Sequence, residues 1–508
     1  MILLDGNSLT PEQVGEVAVG SRRTALSPES RRRMEASRAT VEALLDADAV
    51  VYGVNTGVGR LADRRIDSAQ LRQLQLNLVR SHAAGVGPPL EDPEVRAMML
   101  IRANVLAKGL SGIRPLVAEM LSEMLNRGVH PVVPCRGSVG ASGDLAPLAH
   151  LALVMIGEGE ARLEGERLGG REALARAGLV PLQLEPKEGI SLLNGTQAML
   201  ALGCLALLEA ETLAETADVV CALSLDALRG TPAAFDPLLH QARPHPGQVA
   251  SAKNLAAMLE GSQIRASHIA CRRVQDAYSL RCAPQVHGAA GDALAQARRT
   301  LAIELNAATD NPLVFNGRVI SGGNFHGQPV ALWLDTMAIA LATLAGISER
   351  RTDRLVNPEL NEGLPAFLAA NPGLESGLMM LQVTAAALAA ENRVLATPAS
   401  VQSITTSGHK EDFVSMGMTA ALKLKQTVEN TRTVLAIEAL CAAQALDFLL
   451  PLRPGPRGQK AHQSVRAVVE PLRADRDLSG DIARVAELIR HGEIRKALES
   501  PPPGSVDA

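Results

Sequence analysis

The chain is organised around Cys135-Arg136-Gly137-Ser138-Val139-Gly140-Ala141-Ser142-Gly143-Asp144-Leu145-Ala146-Pro147-Leu148. The first part of this segment is too small and too glycine-rich to form core. Its second part predicts a helix, because Leu145 and Leu148 begin a helical spacing and Asp144 is placed to accept hydrogen bonds from the first free amides. Ser142 is therefore predicted to lie in a loop aimed at the positive end of a helix.

Two familiar serine and glycine loops do not fit this segment. A phosphate-binding loop requires Gly-Lys-Ser/Thr after the glycines, and a serine-hydrolase elbow requires glycine two residues on either side of the serine. Ser142 has Gly140 on one side and Asp144 on the other. A tight turn that caps a helix explains Gly137, Gly143 and Asp144 but leaves the rest of the segment unexplained.

A reaction of the backbone uses every residue of the loop. If the turn presses the Gly143 nitrogen onto the Ala141 carbonyl carbon, a five-membered ring closes with loss of one water. Glycine leaves that approach open, and alanine fits a crowded turn. Loss of the Ser142 hydroxyl as a second water leaves an exocyclic methylene, which is an electrophile that no ordinary side chain supplies.

Residues 140–150, read as Gly-Ala-Ser-Gly-Asp-Leu-Ala-Pro-Leu-Ala-His, resemble the signature of the aromatic amino acid ammonia-lyases. The resemblance implies a 4-methylidene-imidazol-5-one (MIO) group formed from Ala141, Ser142 and Gly143. It also implies the fumarase/aspartase-like architecture: a mainly α fold with a long central helical bundle and a more mixed N-terminal part. The family's homotetramers, with active sites where subunits meet, imply a homotetramer here.

Composition agrees with a helical protein. Of 508 residues, 47% are hydrophobic but only 2% aromatic, so the core must be Leu, Ala, Val and Met, which favours helices. Apolar stretches at 198–228, 331–347, 378–395 and 418–450 predict helices that other helices enclose. We expect an MIO-bearing part at 1–200, a central bundle part at 201–500 and a disordered tail at 501–508, in one continuous catalytic body.

Charge and cysteine content exclude several classes. A net charge of −4 gives no electrostatic case for nucleic acid or an anionic membrane. Six cysteines without a Cys-x-x-Cys pair suggest neither zinc nor disulfides, so reduced thiols and no metal are expected. The apolar runs at 195–208 and 376–390 are shorter than the roughly 18 to 20 residues of a membrane span, which predicts a cytoplasmic protein.

In the first half of the chain, three residues are predicted to reach the site. Tyr52 opens Tyr-Gly-Val-Asn-Thr-Gly-Val-Gly, which resembles the family loop with a mobile active-site tyrosine, although Val58 replaces the usual Phe. Leucines at 71, 74 and 78 predict a helix that stops at Gly85. The resemblance places His82 against the substrate ring, as in histidine-specific members, and Asn194 on the substrate carboxylate and the MIO group.

The second chemical cluster is Gln275-Asp276-Ala277-Tyr278-Ser279-Leu280-Arg281. On a helix, a spacing of three would bring Gln275, Tyr278 and Arg281 together. Ordinarily, Tyr278 and Arg281 would be interpreted as stacking on a surface. The resemblance instead implies that Tyr278 is the catalytic base, that Arg281 clamps the substrate carboxylate bidentately and that Gln275 belongs to the binding set.

The remaining candidates lie later in the chain. The resemblance makes Asn311 and Phe325 contacts of the MIO group and substrate, and Met379 either a ring-pocket residue or core packing. Glu411 stands where histidine-specific members keep Glu and the others tend to have Gln; a carboxylate suits an imidazole N–H. His409, Lys410 and Phe413 depart from the usual residues, and an ion pair from Lys410 would neutralise Glu411.

The implied reaction is elimination of ammonia from L-histidine to give trans-urocanate, with attack by either the amine or the ring on the electrophile. The same chemistry on tyrosine or phenylalanine, as a lyase or a 2,3-aminomutase, is the alternative. The fumarase and aspartase enzymes are more distant, because their Gly-Ser-Ser-x-Met-Pro loop is absent. A helical scaffold without catalysis is disfavoured, because Tyr52, Ser142, Asn194, Tyr278 and Arg281 are all present.

Overall fold

The computed structural model describes residues 1–20, 22–47, 49–269 and 274–499. These residues divide into two compact units. The first comprises Met1–Leu208, Ala297–Asp335 and Pro398–Leu422. The second comprises Glu209–Gln296, Thr336–Thr397 and the chain from Lys423 onward. The division predicted at residue 200 stays a prediction, and the predicted tail at 501–508 and Cys271 lie outside the described residues.

Most of the described chain is helical, which confirms the mainly α prediction. The helices are α1 Pro11–Val19, α2 Pro28–Asp46, α3 Leu71–His82, α4 Asp92–Ala107, α5 Pro115–Asn126, α6 Leu145–Met155, α7 Gly170–Arg176, α8 Glu188–Leu193, α9 Gln197–Ala227, α10 Pro237–Ala242, α11 Pro246–Leu259, α12 Gln263–Ala266, α13 Tyr278–Arg281, α14 Ala283–Leu305, α15 Gln328–Val356, α16 Met379–Leu395, α17 Gly417–Asp447, α18 Pro456–Arg466 and α19 Ser479–Arg490. The four apolar stretches correspond to α9, α15, α16 and α17 within three residues at each end, except that α15 continues to Val356, nine residues beyond the predicted end at 347.

The strands are short and pair locally. They are β1 Ile2–Leu4, β2 Thr24–Leu26, β3 Val86–Pro89, β4 His130–Pro131, β5 Pro134–Arg136, β6 Glu160–Leu163, β7 Glu166–Gly169, β8 Leu313–Phe315 and β9 Arg318–Ile320. β1 pairs parallel with β2, whereas β3 with β5, β4 with β6, β6 with β7 and β8 with β9 are antiparallel. Seven of the described strands lie before residue 170, which makes the N-terminal part the more mixed one.

The β3–β5 pair positions the glycine-rich loop in the first unit. β3 follows α3 after a short turn, β5 leads directly into Gly137, and Val86 lies opposite Arg136. The end of α3 is thereby held beside the start of the loop. The predicted helix stop at Gly85 is wrong, because α3 ends at His82. Gly85 instead donates its N–H to His150 Nε2 at 3.1 Å, so its backbone holds this corner to α6.

The second unit has a fully buried ion pair. Arg351 on α15 reaches Glu438 on α17 at 2.5 Å, and neither side chain is exposed. Both carboxylate oxygens of Glu438 also accept hydrogen bonds from serine hydroxyls, Ser224 on one and Ser348 on the other. Such a pair is tolerated in a dry interior only when its remaining lone pairs are satisfied, as they are here.

Helices α9 and α15 are long and apolar enough to cross a membrane by length and composition alone. The apolar run predicted at 195–208 continues through α9, so the prediction that it stops short of a span is wrong; that prediction does not include α15. The apolar windows of α9 and α15 are 67% and 56% buried within the protein, respectively, which is the pattern of core helices. Five cysteines, Cys135, Cys204, Cys221, Cys282 and Cys441, are free thiols.

Candidate active site

Backbone hydrogen bonds fasten the loop before α6 to the turn before α9. Gly195 donates its N–H to the Ser142 carbonyl at 3.2 Å, and its own carbonyl accepts from the Asp144 N–H at 2.7 Å. Gly143 has φ +74° between these two bonds, and a Cβ there would lie 2.0 Å from the Gly195 oxygen. No side chain fits at Gly143, so the loop can approach this closely only with glycine.

Asp144 performs a different task from the one predicted. It precedes α6 but makes no side-chain hydrogen bond to that helix, so the predicted cap is wrong. Its carboxylate instead accepts from the Met199 N–H at 2.8 Å, which caps the start of α9, and from Ser138 Oγ at 2.8 Å. Burial raises the pKa of Asp144 to about 6, against the lowering effect of these hydrogen bonds.

The other side of the loop is held by the segment that precedes α17. Ser415 Oγ donates to the Gly140 carbonyl at 3.1 Å, and the Met416 N–H donates to the Val139 carbonyl at 2.8 Å. Gly140 has φ +70°, and a Cβ there would lie 2.1 Å from Ser415 Oγ. The three residues that follow Gly140 are therefore held between the turn before α9 and the segment before α17, and Ala141 is buried.

One cavity of about 300 Å³ in the first unit brings five of the predicted residues together. They are Tyr52, His82, Ser142, Asn194 and Glu411. The remaining lining residues include Val58, Leu78, Leu145, Ile190, Leu193 and also Arg60, which sequence reasoning missed. Arg60 lies next to the matched loop but has no chemical signal of its own in the sequence. The cavity thus combines apolar walls with a hydroxyl, an amide, an imidazole and a carboxylate.

Glu411 is held in a defined orientation. Its Oε2 accepts hydrogen bonds from Thr406 Oγ1 at 2.8 Å and from Ser407 Oγ at 2.7 Å. Its Oε1 accepts from Ser142 Oγ at 3.2 Å. Among the described residues Lys410 forms no ion pair with Glu411, so the neutralisation considered from the sequence does not occur. One carboxylate oxygen is fixed by hydroxyls and the other faces Ser142.

The unusual residues around Glu411 fit the local backbone. Ser407, Gly408 and His409 have φ of +50°, +58° and +67°, so this turn is left-handed at three successive positions. His is enriched among the residues that adopt this conformation, so His409 is compatible with the turn. Phe413 stacks on His326 with ring centroids 6.2 Å apart, so it has a packing partner.

His82 ends α3 with its ring orientation fixed. Its Nδ1 lies 2.8 Å from the Leu78 carbonyl, one turn earlier. A carbonyl oxygen only accepts, so Nδ1 carries the hydrogen and the neutral ring keeps Nε2 as its acceptor. Ser81 Oγ lies 3.1 Å from the same Nδ1. The hydrogen bonds therefore select one tautomer of His82.

The remaining candidates of the first unit take different positions. Tyr52 Oη accepts from the Gly59 N–H at 3.3 Å, which closes its own loop. Asn194 Nδ2 donates to the Asn311 carbonyl at 2.8 Å, so Asn311 supports a lining residue from behind. Phe325 is half-buried in the turn after β9 and is not among the lining residues.

The second unit holds the other predicted cluster. Helix α13 begins at Tyr278, so the predicted helical spacing of Gln275 with Tyr278 and Arg281 is wrong, and Gln275 is an exposed residue before the helix. The Arg281 guanidinium lies 4.6 Å from the Tyr278 ring centre, and Arg281 Nε donates to the Asp276 carbonyl at 2.9 Å. Tyr278 is 70% exposed within the chain. Met379 is the half-buried first residue of α16.

Known proteins with similar sequences and structures are amino acid lyases and aminomutases. A family model described as "Aromatic amino acid lyase" matches residues 9–467. The chain is 59% identical over 508 residues to a histidine ammonia-lyase of Koribacter versatilis, covering 97% of this chain and 98% of the relative. Histidine ammonia-lyase from Trypanosoma cruzi has TM-score 0.91 and 41% identity, covering 100% and 99%. Tyrosine aminomutase from Streptomyces globisporus has TM-score 0.93 and 40% identity, covering 98% of both chains.

The chain therefore belongs to the aromatic amino acid lyase family and is a carbon–nitrogen lyase. The family fold predicted from the sequence is confirmed. Membership implies MIO chemistry in general. The residues present fit such a group, because position 143 admits no side chain and residues 140–144 are gripped on both sides. Within the described ranges no cluster of His, Cys, Asp and Glu could hold a metal ion.

Asp144→Asn should flatten the pH dependence of stability between about pH 4 and 6. The folded-state pKa of about 6 lies above the ordinary 3.8, so between these values only the folded chain keeps this proton. Stability therefore falls as pH rises through this window, by about 3 kcal/mol at 1.36 kcal/mol per pKa unit. Denaturant unfolding at a series of pH values measures the difference. The exposed Asp63→Asn is the control, and an unchanged slope for Asp144→Asn would refute the assignment.

Proposed function

We propose that this enzyme eliminates ammonia from L-histidine to give trans-urocanate. The observation that carries the proposal is the placement of an oriented carboxylate, Glu411, and a tautomer-selected imidazole, His82, in the same cavity as Ser142. Its support from known proteins is the identity of 59% to a protein named histidine ammonia-lyase over nearly the full chain. The predicted cytoplasmic location stays a prediction.

The proposed electrophile arises from Ala141, Ser142 and Gly143. When present, an MIO group supplies an electrophilic methylene that makes loss of the substrate amine possible. The chain itself must orient the substrate, keep competing water out and move one proton. Leu78, Leu145, Ile190 and Leu193 give the cavity its apolar walls, so the polar groups that remain there act with little competition from water.

The substrate imidazole is proposed to lie between Glu411 and His82. When both of its ring nitrogens are protonated, the substrate imidazole offers two N–H donors. Glu411 can accept from one of them, whereas a phenyl ring offers it no donor. His82 presents Nε2 as its acceptor, because Nδ1 is committed to Leu78. A charged hydrogen bond of this kind contributes about 1.5–3 kcal/mol, which is a discrimination of about 10- to 100-fold.

The carboxylate and the β-proton are assigned to other residues. Asn194, with its side chain fixed on Asn311, is proposed to bind the substrate carboxylate from within the cavity. Arg281 is proposed as the second carboxylate clamp and Tyr278 as the base that removes the β-proton. Tyr52 is proposed as the mobile tyrosine of its loop. Gln275, Asn311, Phe325 and Met379 keep the contact roles predicted from the sequence.

Purified enzyme should convert L-histidine to urocanate, and Glu411→Gln should lower kcat/KM for L-histidine by about 10- to 100-fold through loss of the charged acceptor. Urocanate absorbance measures both. Lys410→Gln is the matched control, because it changes the adjacent charge without touching the carboxylate, and it should leave kcat/KM nearly unchanged. Coumarate, cinnamate or a β-amino acid from tyrosine or phenylalanine, with no urocanate, would favour the alternative lyase or 2,3-aminomutase and contradict the proposal.

The mass of the intact chain should be lower than that of its translated sequence by two waters. Ser142→Ala should remove this deficit, because alanine has no hydroxyl to lose and cannot form the methylene. Electrospray mass spectrometry of both proteins decides the point. Ser138→Ala, a second serine of the loop that is not part of the proposed ring, should keep the deficit in molecules that fold. A wild-type chain of full translated mass would refute formation of the group.

A homotetramer is proposed from the apolar surface of the second unit. Met380, Val383 and Val394 on α16 and Ile339 on α15 are all more than 40% exposed in the single chain. Helices enriched in such residues are expected to be covered by another copy of the chain.

Light scattering should give the mass of four chains for the wild type and a smaller assembly for Val394→Glu, because a buried carboxylate without a partner opposes association. Val180→Glu, at an exposed valine of the first unit, should remain tetrameric. A monomeric wild type, or a tetrameric Val394→Glu, would contradict the proposal.

A further inference from the structure

A fully buried arginine lies directly behind the reactive loop and has no assigned role. Arg102, on α4, has no exposed surface. Its Nη1 donates to the Asn194 carbonyl at 2.5 Å and to Gln197 Oε1 at 2.9 Å. Gly195, between these two acceptors, has φ +138°, and a Cβ there would lie 2.9 Å from Nη1. The guanidinium therefore packs against the turn that fastens the loop.

Two peptide groups connect this guanidinium to the Gly143 nitrogen. The Asn194 carbonyl and the Gly195 N–H belong to one peptide group, so a positive charge at the oxygen polarises the N–H. That N–H donates to the Ser142 carbonyl at 3.2 Å. The Ser142 carbonyl in turn shares its peptide group with the nitrogen of Gly143. The hydrogen-bonded path from Arg102 ends at the atom that is proposed to close the ring.

We infer that Arg102 is a positioning residue for maturation of the active site: it fixes the Asn194–Gly195 peptide and, through it, eases loss of the proton from the Gly143 nitrogen, whose electron pair then closes the ring. The inference rests on the proposed cyclisation. When an amide nitrogen gives up its proton, negative charge spreads to its carbonyl oxygen. A hydrogen bond to that oxygen from a peptide polarised by a cation stabilises the charge.

The atoms of the ring closure balance without any further reactant. The Gly143 nitrogen loses its proton, and its electron pair forms the bond to the Ala141 carbonyl carbon. The Ala141 oxygen leaves as water, with the proton from Gly143 and the amide proton of Ser142. The Ser142 hydroxyl leaves with the Cα proton of the same residue as the second water. No electron is gained or lost overall.

The burial of Arg102 is poorly compensated, which argues against a purely stabilising role. Nε and Nη2 have no hydrogen-bond partner among the described residues. Burial lowers the pKa of Arg102 to about 10, against the opposing charge of Asp310, so the side chain remains charged near neutral pH. Lys187, also fully buried, already pairs with Asp310 at 2.9 Å. A buried charge with so few partners is weak evidence for a stabilising role.

The test measures the rate of water loss and not turnover. Wild type, Arg102→Met, Arg102→Lys and Lys187→Met are unfolded and refolded, or made by cell-free synthesis, and their intact mass is followed with time. Arg102→Met keeps similar volume without charge and should lose the two waters at least about tenfold more slowly, because a charged hydrogen bond is removed. Arg102→Lys should be intermediate. Lys187→Met, which removes the other buried cation beside Asp310, should mature at the wild-type rate once folded.

A dependence on pH separates this role from simple stabilisation of the fold. If the defect of Arg102→Met lies in the release of the Gly143 proton, raising the pH by about two units should speed its water loss much more than that of the wild type. Circular dichroism at each pH confirms that only folded chains are compared. If Arg102→Met does not fold, Arg102→Lys alone is measured over the same pH range.

Two results would overturn the inference. The first is loss of water at the wild-type rate by folded Arg102→Met, or by Arg102→Lys if Arg102→Met does not fold. The second is a slow rate of water loss that does not respond to pH. Either result leaves the mass deficit of the wild type intact and so spares the proposed function. Absence of the deficit in the wild type would instead defeat the proposed function itself.

Discussion

The structure depends on the contact between two glycines that are far apart in the chain. Gly143 and Gly195 approach so closely that a single added carbon on either would meet backbone or a buried side chain. Hydrogen bonds on both sides of Gly143, to Ser142 and Asp144, hold that contact. The rest of the first unit supports this contact. The loop begins directly after β5, Gly195 lies between α8 and α9, and Ser415 binds the opposite side of the loop through the Gly140 carbonyl. A backbone compressed in this way is suited to reaction with itself.

Several buried charged side chains lie in the part of the first unit that holds this contact, and each needs a partner. Asp144 caps α9 from within the loop, and Arg102 reaches the turn from α4. Burial alone would raise the pKa of Asp310, but the positive charges of Lys187 and Arg102 hold that pKa below its ordinary value. Each of these groups would be costly to bury alone. Together they fix the two segments that meet at Gly143 and Gly195. Burying these charges costs folding stability, which argues that the loop has a role beyond structure.

Much of this could be predicted from the sequence where the signal is local. The four long apolar stretches predict α9, α15, α16 and α17, because their length and composition suit only enclosed helices. Residues 140–150 predict the reactive loop, since each position has a steric or chemical reason. The resemblance of separate segments brings Tyr52, His82, Asn194 and Glu411 to the same cavity as Ser142. Each of these inferences depends on residues close together in the chain or on a match to known segments.

What could not be predicted depends on tertiary contacts. Asp144 looks like a cap for the helix that follows it, but one carboxylate oxygen accepts from α9, which begins more than fifty residues later, and the other accepts from Ser138. Gln275 shares helical spacing with Tyr278, yet the helix begins only at Tyr278. Arg102 has no signal of its own, because α4 also carries Arg96, Asp92 and Glu94 and nothing in the sequence sets one of these charges apart. A role for Arg102 can be inferred only from the structure, which places its guanidinium against the Asn194 carbonyl.

A high-resolution crystal structure of the purified enzyme shows whether the ring has formed, through the electron density of residues 141–143. Continuous density is expected between the Gly143 nitrogen and the Ala141 carbonyl carbon, with no Ser142 oxygen remaining. An open main chain with an intact serine hydroxyl, in crystals of protein that still turns over its amino acid, would contradict ring formation.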